Sequence, residues 1–552
     1  MKRLGVVTAV MGLTIPLLTA FPAQANASVT ETDPPADVQS IGPGQYFSDI
    51  TTFEIAESDV PEGEVGRRHS VAAVDGALAQ PKAVPASRTD LAVFGPGWQA
   101  EFLGGSTSRK LQVQSGSIVV TELDGGGSTS FALKSSADFP GGGGVRKYEA
   151  EDGSKITETS RWDAAAGALR TTISETIPMD PDAVEEGDDG FTNGSGEPVD
   201  PADLTQTYTW EKAGTAQDDP WRVTALGSRA DGTSSVAYDA QGRVATVTEP
   251  AAGEQPQTVL TFQYATTTTA TGTATGDYAG RLKQITLAAG SGAPETVASY
   301  AYDSGGLLRG MGDPRLDASQ RASYAYDGTG RLTTVNSRLH GDWQLTFTGD
   351  SAAPAATATS TTRRPDTSSG TPPALSGPAI PDAGATGPPP GDFPGGDVTG
   401  PLAYPSYCYA AVHWLWYSRS GCAAWAAHYG WHYPYWKQLP TGYWVVGINY
   451  DHCTSSPDRP SRFKFDFRPA CDMHDYGYGL IGNTYKGYRY YLDRNRKSDV
   501  DNLFYITLRD WTCPAYKGTW FKQKKSTICK RWAWIYRQGV RKGNPKNGAN
   551  KT

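Results

Sequence analysis

A stretch of low complexity in the last third of the 552-residue chain constrains its fold more than any other feature. From Ser351 to Gly400 the sequence is largely Thr, Ser, Pro, Gly and Ala, and it includes PPALSGPAIPDAGATGPPPGDFPGGDVTGP. Such a composition cannot bury enough apolar surface to fold and is typical of a semi-extended linker. The sequence therefore predicts a multidomain protein, with one folded region before this linker and another from Pro401 onward.

The two predicted regions carry opposite charge. From Pro401 onward there are 23 Lys and Arg against 9 Asp and no Glu, a net charge of +14. The residues before Pro401 include 27 basic and 49 acidic side chains, a net charge of −22. A basic region rich in aromatic residues is suited to anionic surfaces, either phospholipid headgroups or nucleic acid. A charge imbalance that only aids solubility is the simpler alternative.

The N-terminus has the pattern of a Sec signal peptide over residues 1–27. Lys2 and Arg3 precede an apolar run from Leu4 to Ala20, and Ala-x-Ala cleavage sites follow it. No later stretch approaches the roughly 20 apolar residues that a membrane-spanning helix needs. We therefore expect a secreted protein, released or held on the cell surface, without a transmembrane segment in the mature chain.

The cysteines agree with export. An even number of cysteines confined to one small region outside the cytoplasm predicts a disulfide framework, although their spacing does not choose among the pairings. A structural zinc site is disfavoured because no Cys-x-x-Cys pair is present. All six cysteines follow the predicted linker, at Cys408, Cys422, Cys453, Cys471, Cys513 and Cys529.

The region before the linker is expected to be β-rich. Residues 28–90 are polar and mixed with little periodicity, which predicts an irregular leader. Over residues 91–350 short segments alternate apolar and polar residues and break at Gly, Asp and Ser, a pattern typical of antiparallel strands joined by tight turns. An acidic stretch near residue 180 predicts an exposed loop.

A repeated tyrosine motif lies in the second half of this β-rich region. It reads YDAQGRV from Tyr238, YAGRL from Tyr278, YDSGGLL from Tyr302 and YDGTGRL from Tyr326. The Asp-x-x-Gly step is expected to form each turn, with Tyr and Leu packed between hairpins. These units resemble the YD repeats of RHS-type proteins, which implies a short β scaffold that carries a variable C-terminal effector domain. Nothing in the scaffold indicates catalysis, and the copies are too few to predict an enclosed chamber.

The segment RPACDMHDYGYG predicts a helix with a polar, reactive side. On a helix Cys471, His474 and Tyr478 share one face, and Asp475 lies beside them. A lone His-Asp dipeptide is usually structural or exposed, so this segment alone does not predict a function.

The preceding segment NYDHC adds an acid, Asp451, two residues before Cys453. A bond between Cys453 and Cys471 would draw Asp451 toward Asp475. Two carboxylates held together without a basic side chain repel each other unless a cation is present, and oxygen-only ligands suit Ca²⁺. His474 would then lie beside the ion without binding it. Asp451 as an ordinary turn residue is the simpler alternative.

The third segment, KSDVDNLFYITLRDWTC, predicts a helix in which Asp501 shares a largely apolar face with Phe504 and Leu508. A buried acid is costly unless it is paired, and His474 on the neighbouring helix is a candidate partner. Such a pair fixes the imidazole tautomer and lets its other nitrogen take a proton from water. Asp499 and Asp510 project from the opposite side of the helix, where an acid costs little. Helix capping or pairing with a nearby cation are simpler roles for Asp501.

Taken in order, these motifs resemble the secreted bacterial phospholipase A2 family from about Tyr450 to Val540. The shared pattern is Asp-x-Cys, then Cys-x-x-His-Asp-Tyr-Gly-Tyr, then Asp-x-x-Phe-Tyr before a Cys. The resemblance implies a mainly α-helical, disulfide-bonded domain over residues 401–552. It also implies Ca²⁺-dependent hydrolysis of the sn-2 ester of glycerophospholipids by an activated water.

The same resemblance assigns roles to single residues. His474 corresponds to the general base and Asp501 to its orienting partner. Asp451 and Asp475 correspond to the calcium carboxylates, and the main-chain carbonyl of His452 to a further ligand. The family's disulfides would correspond to Cys453–Cys471 and Cys513–Cys529, leaving Cys408–Cys422 as an addition.

Two features depart from the family pattern. The side chain of His452 is not required at its position, and its imidazole could perturb the bound ion. Residues from Tyr404 to Trp444 are unusually aromatic and match the family's N-terminal helices poorly.

Two other functions compete with hydrolysis. One is a secreted lipid-binding or surface protein with a catalytically silent phospholipase module. The other is a nuclease-type effector, favoured by the basic cluster from Lys522 to Lys525 but by no evident nucleic-acid fold. The expected partner is a phospholipid membrane or micelle surface, and no nucleic acid is expected. No Gly-x-Ser-x-Gly motif is present for a serine nucleophile.

Overall fold

The computed structural model describes most of the β-rich region and most of the helical region. The predicted signal peptide, Cys408, Asp451 and most of the predicted linker lie outside the described residues. Pro34 to Thr552 form one compact unit. None of the helices described is long and apolar enough to span a membrane. The described residues are 38–180, 191, 198–213, 219–252, 256–316, 318, 321–359, 410–416, 422–423, 434–448, 452–454, 456–481 and 497–542.

An antiparallel sheet of six strands begins the described chain, and the prediction of an irregular leader over residues 28–90 is wrong there. β4 runs through Arg67 and Arg68, which are buried and ion-paired to Asp59 and Glu54. The strand therefore buries polar side chains on both faces and shows no apolar alternation. The first five strands of the sheet pair in chain order, each with the next, and β6 pairs with β4. The strands are β1 (Val38–Ile41), β2 (Gly44–Phe47), β3 (Thr52–Val60), β4 (Val65–Val74), β5 (Ala77–Pro81) and β6 (Trp98–Glu101).

A long antiparallel meander follows, in which each strand pairs with the next. Its last strand lies inside the predicted linker (351–400). Backbone pairing of Trp343 with Ala358 forms that strand without large apolar side chains. The strands are β7 (Arg109–Gln114), β8 (Ser117–Glu122), β9 (Gly127–Asp138), β10 (Gly144–Glu149), β11 (Lys155–Asp163), β12 (Ala168–Ile177), β13 (Gln206–Lys212), β14 (Trp221–Ser228), β15 (Gly232–Tyr238), β16 (Val244–Glu249), β17 (Thr258–Tyr264), β18 (Leu282–Ala289), β19 (Glu295–Tyr302), β20 (Leu308–Gly312), β21 (Ala322–Tyr326), β22 (Leu332–Ser337), β23 (Gly341–Thr346) and β24 (Ala355–Ala358).

Four hairpins of the meander share one construction. In three of them an Asp follows the tyrosine and accepts hydrogen bonds from backbone N–H groups of the turn, as the Asp-x-x-Gly pattern predicts. Each tyrosine also donates its hydroxyl hydrogen to a backbone carbonyl of an earlier strand. These bonds join Tyr238 to Val223 (2.8 Å), Tyr264 to Val244 (2.7 Å), Tyr302 to Leu282 (2.7 Å) and Tyr326 to Leu308 (2.7 Å).

Tyr264, and not Tyr278, occupies the repeated position in the second hairpin. Tyr264 pairs with Leu282 across the strands, as Tyr302 pairs with Leu308. Tyr278 lies in the long connection between β17 and β18, where the inserted residues give it an accidental 24-residue spacing. The geometry establishes repeated hairpins, and kinship with YD-repeat proteins stays a prediction.

The region after the linker is held together by helices and disulfides. The predicted bonds Cys453–Cys471 and Cys513–Cys529 are both confirmed. Cys422 is also disulfide-bonded. The elements are a short 3₁₀ helix (Ala411–Trp414), β25 (Tyr435–Gln438), β26 (Trp444–Gly447), α1 (Arg468–Leu480), α2 (Lys497–Trp511), β27 (Thr519–Trp520), β28 (Gln523–Lys524) and α3 (Lys525–Lys542).

Helix α2 is buried on all sides, because the β-rich region covers the face opposite to Asp501. The prediction that Asp499 and Asp510 lie where an acid costs little is wrong, because both are buried and ion-paired. Asp499 pairs with Arg338 at 2.9 Å. At the other end of α2, Asp510 lies 3.0 Å from the Arg68 guanidinium of β4. Burial opposes ionisation of Asp510, but the nearby arginines, Arg509 first, hold its pKa below the ordinary range.

We expect Asp510→Asn to destabilise the protein by about 3 kcal/mol, because it leaves two buried guanidinium groups with too few carboxylates. The stabilisation is present above the ordinary carboxylate pKa and is lost as the pH falls through the depressed pKa of Asp510. Denaturant unfolding of the whole chain at neutral pH measures the loss.

Glu211→Gln is the control, because Glu211 pairs with Arg170 on the surface, where the two side chains are 30% and 62% exposed. Its cost should stay below about 1 kcal/mol. Equal losses for the two variants would contradict a buried network at Asp510.

Candidate active site

The candidate site is built on the contact between α1 and α2. Pro469 occupies the first turn of α1, where its missing N–H costs nothing. The disulfide from Cys471 ties the same turn to the loop that contains His452. Further along α1, a Cβ on Gly477 would lie only 2.7 Å from Val500 Cγ1. Glycine at this position therefore lets α2 approach α1 closely enough for their polar side chains to meet.

His474 on α1 and Asp501 on α2 meet at this contact. His474 Nε2 lies 2.9 Å from Asp501 Oδ1, and the two residues are only 6% and 1% exposed. An ionised carboxylate can only accept a hydrogen bond, so Nε2 carries a hydrogen, and in the neutral imidazole the lone pair is then on Nδ1. The structure therefore brings together the two residues that the sequence pairs.

Three side chains converge on the Asp501 carboxylate. Besides His474, the Tyr478 hydroxyl donates to Oδ1 at 2.6 Å and the Lys497 ammonium donates to Oδ2 at 2.7 Å. Burial raises the pKa of Asp501, but the charge of Lys497 and the hydrogen bond from His474 outweigh it and hold the pKa well below its ordinary value. Asp501 is therefore a fixed anion beside the imidazole.

The sequence leaves open that Asp501 pairs with a nearby cation, but it does not single out Lys497. Lys497 precedes Asp501 by four residues on α2, the spacing at which helical side chains meet, so the signal was present. Its ammonium also donates to the backbone carbonyl of Val540 at 2.7 Å, near the end of α3. Burial lowers the pKa of Lys497, and the Asp501 charge opposes that shift. Lys497 and Asp501 of α2 thus connect the three helices, because Asp501 bonds His474 of α1 and Lys497 bonds Val540 of α3.

Aromatic rings fix the orientation of the imidazole. The His474 ring centroid lies 4.1 Å from that of Tyr478 and 4.7 Å from that of Phe504. Phe504 follows Asp501 by three residues and so belongs to the same helical face. Two aromatic contacts and one hydrogen bond leave the imidazole little rotational freedom.

The predicted calcium ligands are described only in part. Asp475 is partly buried and directly follows His474 on α1. His452 has a left-handed backbone with φ of 54°. Its imidazole Nδ1 lies 2.8 Å from Asp472 Oδ1, and this hydrogen bond raises the pKa of His452. Asp472 therefore engages the side chain that was expected to perturb the ion.

The donor chemistry of these residues fits Ca²⁺. Within the described ranges no group of three or more His, Cys, Asp or Glu side chains gathers as a metal site, and Asp451 falls outside them. Cys453–Cys471 holds the His452 loop against α1, one turn before Asp475. With the imidazole of His452 bonded to Asp472, the remaining donors are carboxylate and carbonyl oxygens, which Ca²⁺ prefers.

The arrangement can perform general base chemistry. A neutral imidazole with a lone pair on Nδ1 accepts a proton, and a buried anion at its other nitrogen stabilises the cation that forms. Of the oxygen ligands predicted for Ca²⁺, Asp475 directly follows His474 in sequence, and the Cys453–Cys471 disulfide ties the loop of His452 to the same helix. Such an arrangement is suited to activating a water molecule without a serine nucleophile.

Comparisons with known proteins identify similar sequences for the C-terminal region. Residues 441–544 match the family model for Prokaryotic phospholipase A2. Over 89 residues the chain is 37% identical to a protein named secretory phospholipase A2 from Arthroderma benhamiae, an alignment that covers 16% of this chain and 51% of that protein. The chain thus spans about half the length of the curated relative that it matches. The C-terminal region is therefore similar to phospholipases A2 of the prokaryotic type.

Proposed function

We propose that the C-terminal region hydrolyses the sn-2 ester of glycerophospholipids outside the cell, giving a lysophospholipid and a free fatty acid. The buried His474–Asp501 pair, inside the segment similar to phospholipases A2, is the observation that carries this proposal. The secretory name of the relative supports export. A phospholipid membrane or micelle surface is the proposed substrate source.

His474 acts as the general base in the proposed reaction. Its Nδ1 takes a proton from water as the water oxygen attacks the ester carbonyl carbon. The ester C–O bond then breaks, and the imidazolium returns the proton to the departing lysophospholipid oxygen. Asp501 stabilises the imidazolium, while Tyr478 and Lys497 hold the carboxylate in position.

Asp451, Asp475 and the main-chain carbonyl of His452 would hold a Ca²⁺ ion. When bound, the ion supplies positive charge for the substrate phosphate and for the oxyanion that develops at the ester carbonyl.

Excess chelator should abolish fatty acid release from phospholipid micelles, and added Ca²⁺ should restore it. Mg²⁺ should be a poor substitute, because it demands tight octahedral geometry and loses its waters reluctantly. Chromatographic identification of the products with each ion distinguishes sn-2 hydrolysis from other cleavage. Full activity in excess chelator would overturn the calcium assignment.

His474→Asn should reduce kcat by about 10²–10⁴-fold while leaving the fold intact, because it removes the proton acceptor but keeps a polar side chain. Steady-state hydrolysis of a monomeric short-chain phospholipid measures the effect. Asp499→Asn is the matched control, since Asp499 lies on the same helix as Asp501 but pairs with Arg338. The general-base role is wrong if the His474 variant keeps most of its activity. A silent lipid-binding module would instead bind lipid with no turnover in any variant.

Lys497→Met should lower kcat about tenfold, because the loss of a charged hydrogen bond of roughly 1.5–3 kcal/mol loosens Asp501. Without the ammonium, burial of Asp501 is opposed less and its pKa rises. Stability from its ionised form is therefore lost at a higher pH on acidification, so the midpoint of acid unfolding should move upward.

Lys530→Met is the control for this variant, because Lys530 pairs with Asp124, away from the catalytic pair. It should lower stability without lowering kcat. Equal kcat losses in the two variants would mean that Lys497 has no particular effect on the site.

A further inference from the structure

The basic cluster noted in the sequence forms a defined surface at the start of α3. We call it the lysine–aromatic face and define it as residues 462–464 together with 517–525. The second segment, KGTWFKQKK, contains four lysines and no acidic residue. It folds as the β27–β28 hairpin, whose turn carries Phe521 and Lys522 in left-handed backbone conformations with φ of 46° and 65°. Phe521 is 42% exposed there.

Aromatic rings and cations alternate across this face. Trp520 packs edge to face with Phe521 at 4.3 Å and with Phe463 at 5.7 Å between ring centroids. The Arg462 guanidinium lies over the Trp520 ring at 5.1 Å, and the Lys525 ammonium lies over the Phe463 ring at 5.2 Å. The face is therefore a continuous cluster and not a run of independent surface residues.

The β-rich region fixes the lysine–aromatic face in place. The Arg462 guanidinium makes two hydrogen bonds to Asp180, at 3.0 and 3.1 Å. Gln523 of the hairpin pairs with Gly127 at the start of β9. A surface held by both parts of the chain presents Phe521 and its neighbouring lysines in one orientation.

The concentration of lysines here is unfavourable to the fold itself. Lys522, Lys524 and Lys525 surround the N-terminus of an 18-residue helix, the positive end of its dipole, and the first turn has no acidic residue. Among the described residues none of these three ammonium groups forms an ion pair. An anionic partner would relieve this repulsion.

We propose that the lysine–aromatic face attaches the protein to anionic phospholipid surfaces. Lysines next to such a surface are attracted by its headgroups, and an exposed aromatic ring such as Phe521 enters the interface. A single-stranded nucleic acid is the weaker fit, because its bases stack on open aromatic faces. Here cations already cover one face of the Trp520 ring and one of the Phe463 ring.

The attachment surface is separate from the catalytic pair. Lys525 begins α3, whereas Val540 of the same helix bonds Lys497 beside Asp501. Fifteen residues of helix separate the two ends by about 22 Å. Attachment therefore goes beyond the proposed hydrolysis, and substitutions in this face leave the contacts of Asp501 unchanged.

Co-sedimentation of the full-length protein with vesicles tests the proposal independently of turnover, because excess chelator stops hydrolysis. One set of vesicles contains phosphatidylcholine alone and the other equal amounts of phosphatidylcholine and phosphatidylglycerol. The wild type should bind the anionic set preferentially, and added salt should weaken that binding. Removing Lys522, Lys524 and Lys525 as a triple Lys→Gln variant should weaken it by on the order of 10²-fold, since each lysine contributes about fivefold.

Phe521→Ser should weaken binding roughly tenfold without changing its salt dependence, because it removes only apolar contact. The charge-matched control replaces Lys134, Lys147 and Lys155, exposed on β9, β10 and β11, by Gln. This control should bind like the wild type, and all variants should hydrolyse a monomeric short-chain phospholipid at the wild-type rate.

Several outcomes would overturn the proposal. They are equal binding to neutral and anionic vesicles, an equal loss in the charge-matched control, or displacement of the protein from vesicles by a short single-stranded oligonucleotide that binds more tightly. If the triple variant fails to fold, Phe521→Ser and the salt dependence of the wild type still decide the question. Vesicle binding without turnover would leave the attachment surface standing and refute only the proposed hydrolysis.

Discussion

The buried carboxylate of Asp501 is the interaction on which the candidate site depends. A carboxylate that is 1% exposed is costly unless charge and hydrogen bonds compensate it, and three donors from α1 and α2 do so here. Lys497 extends the arrangement to α3 through the Val540 carbonyl. The same hydrogen bonds therefore hold the three helices together and orient the imidazole. A change that weakens any donor affects both stability and chemistry.

The β-rich region takes part in this packing. It covers the face of α2 opposite to Asp501 with ion pairs to Asp499 and Asp510. The Asn502 side chain of α2 also donates a hydrogen bond to the Ser58 hydroxyl at 2.8 Å. Phe191 stacks against Trp532 of α3. The segment similar to phospholipases A2 thus completes its core with residues that precede the predicted linker. The division of the chain into domains at that linker stays a prediction. It has to account for these contacts between the residues before and after the linker.

The sequence could predict the site better than the fold around it. His474, Asp501 and two disulfides follow from ordered motifs, because helical spacing and family patterns are local in the chain. Lys497 was also within reach, since it lies one helical turn before Asp501. The partners of Arg67 and Arg68 could not be predicted, because the buried acids that neutralise them come from other strands. Charged residues usually indicate an exposed segment, whereas here they are buried. For this reason the sequence predicts an irregular leader where the structure has strands.

The repeat shows a different limit of sequence reasoning. Spacing alone selected Tyr278, while strand pairing selects Tyr264, because an insertion between two paired strands changes spacing without changing register. What defines the repeat physically is the tyrosine hydroxyl bonded to a carbonyl of an earlier strand. That bond joins residues of different strands and can be identified only from the tertiary structure.

The opposite charges of the two regions now have a structural explanation that solubility alone does not provide. Several cations of the basic region pair with acids of the acidic region, including Arg509 with Glu101, Arg541 with Glu249 and Arg462 with Asp180. Part of the opposite charge is therefore neutralised within the molecule by ion pairs that hold the helices against the strands. Lys522, Lys524 and Lys525 have no such ion pair among the described residues. The same asymmetry that joins the two regions thus leaves cations in excess at the start of α3, beside the exposed ring of Phe521, and the proposed attachment to an anionic surface rests on this remainder.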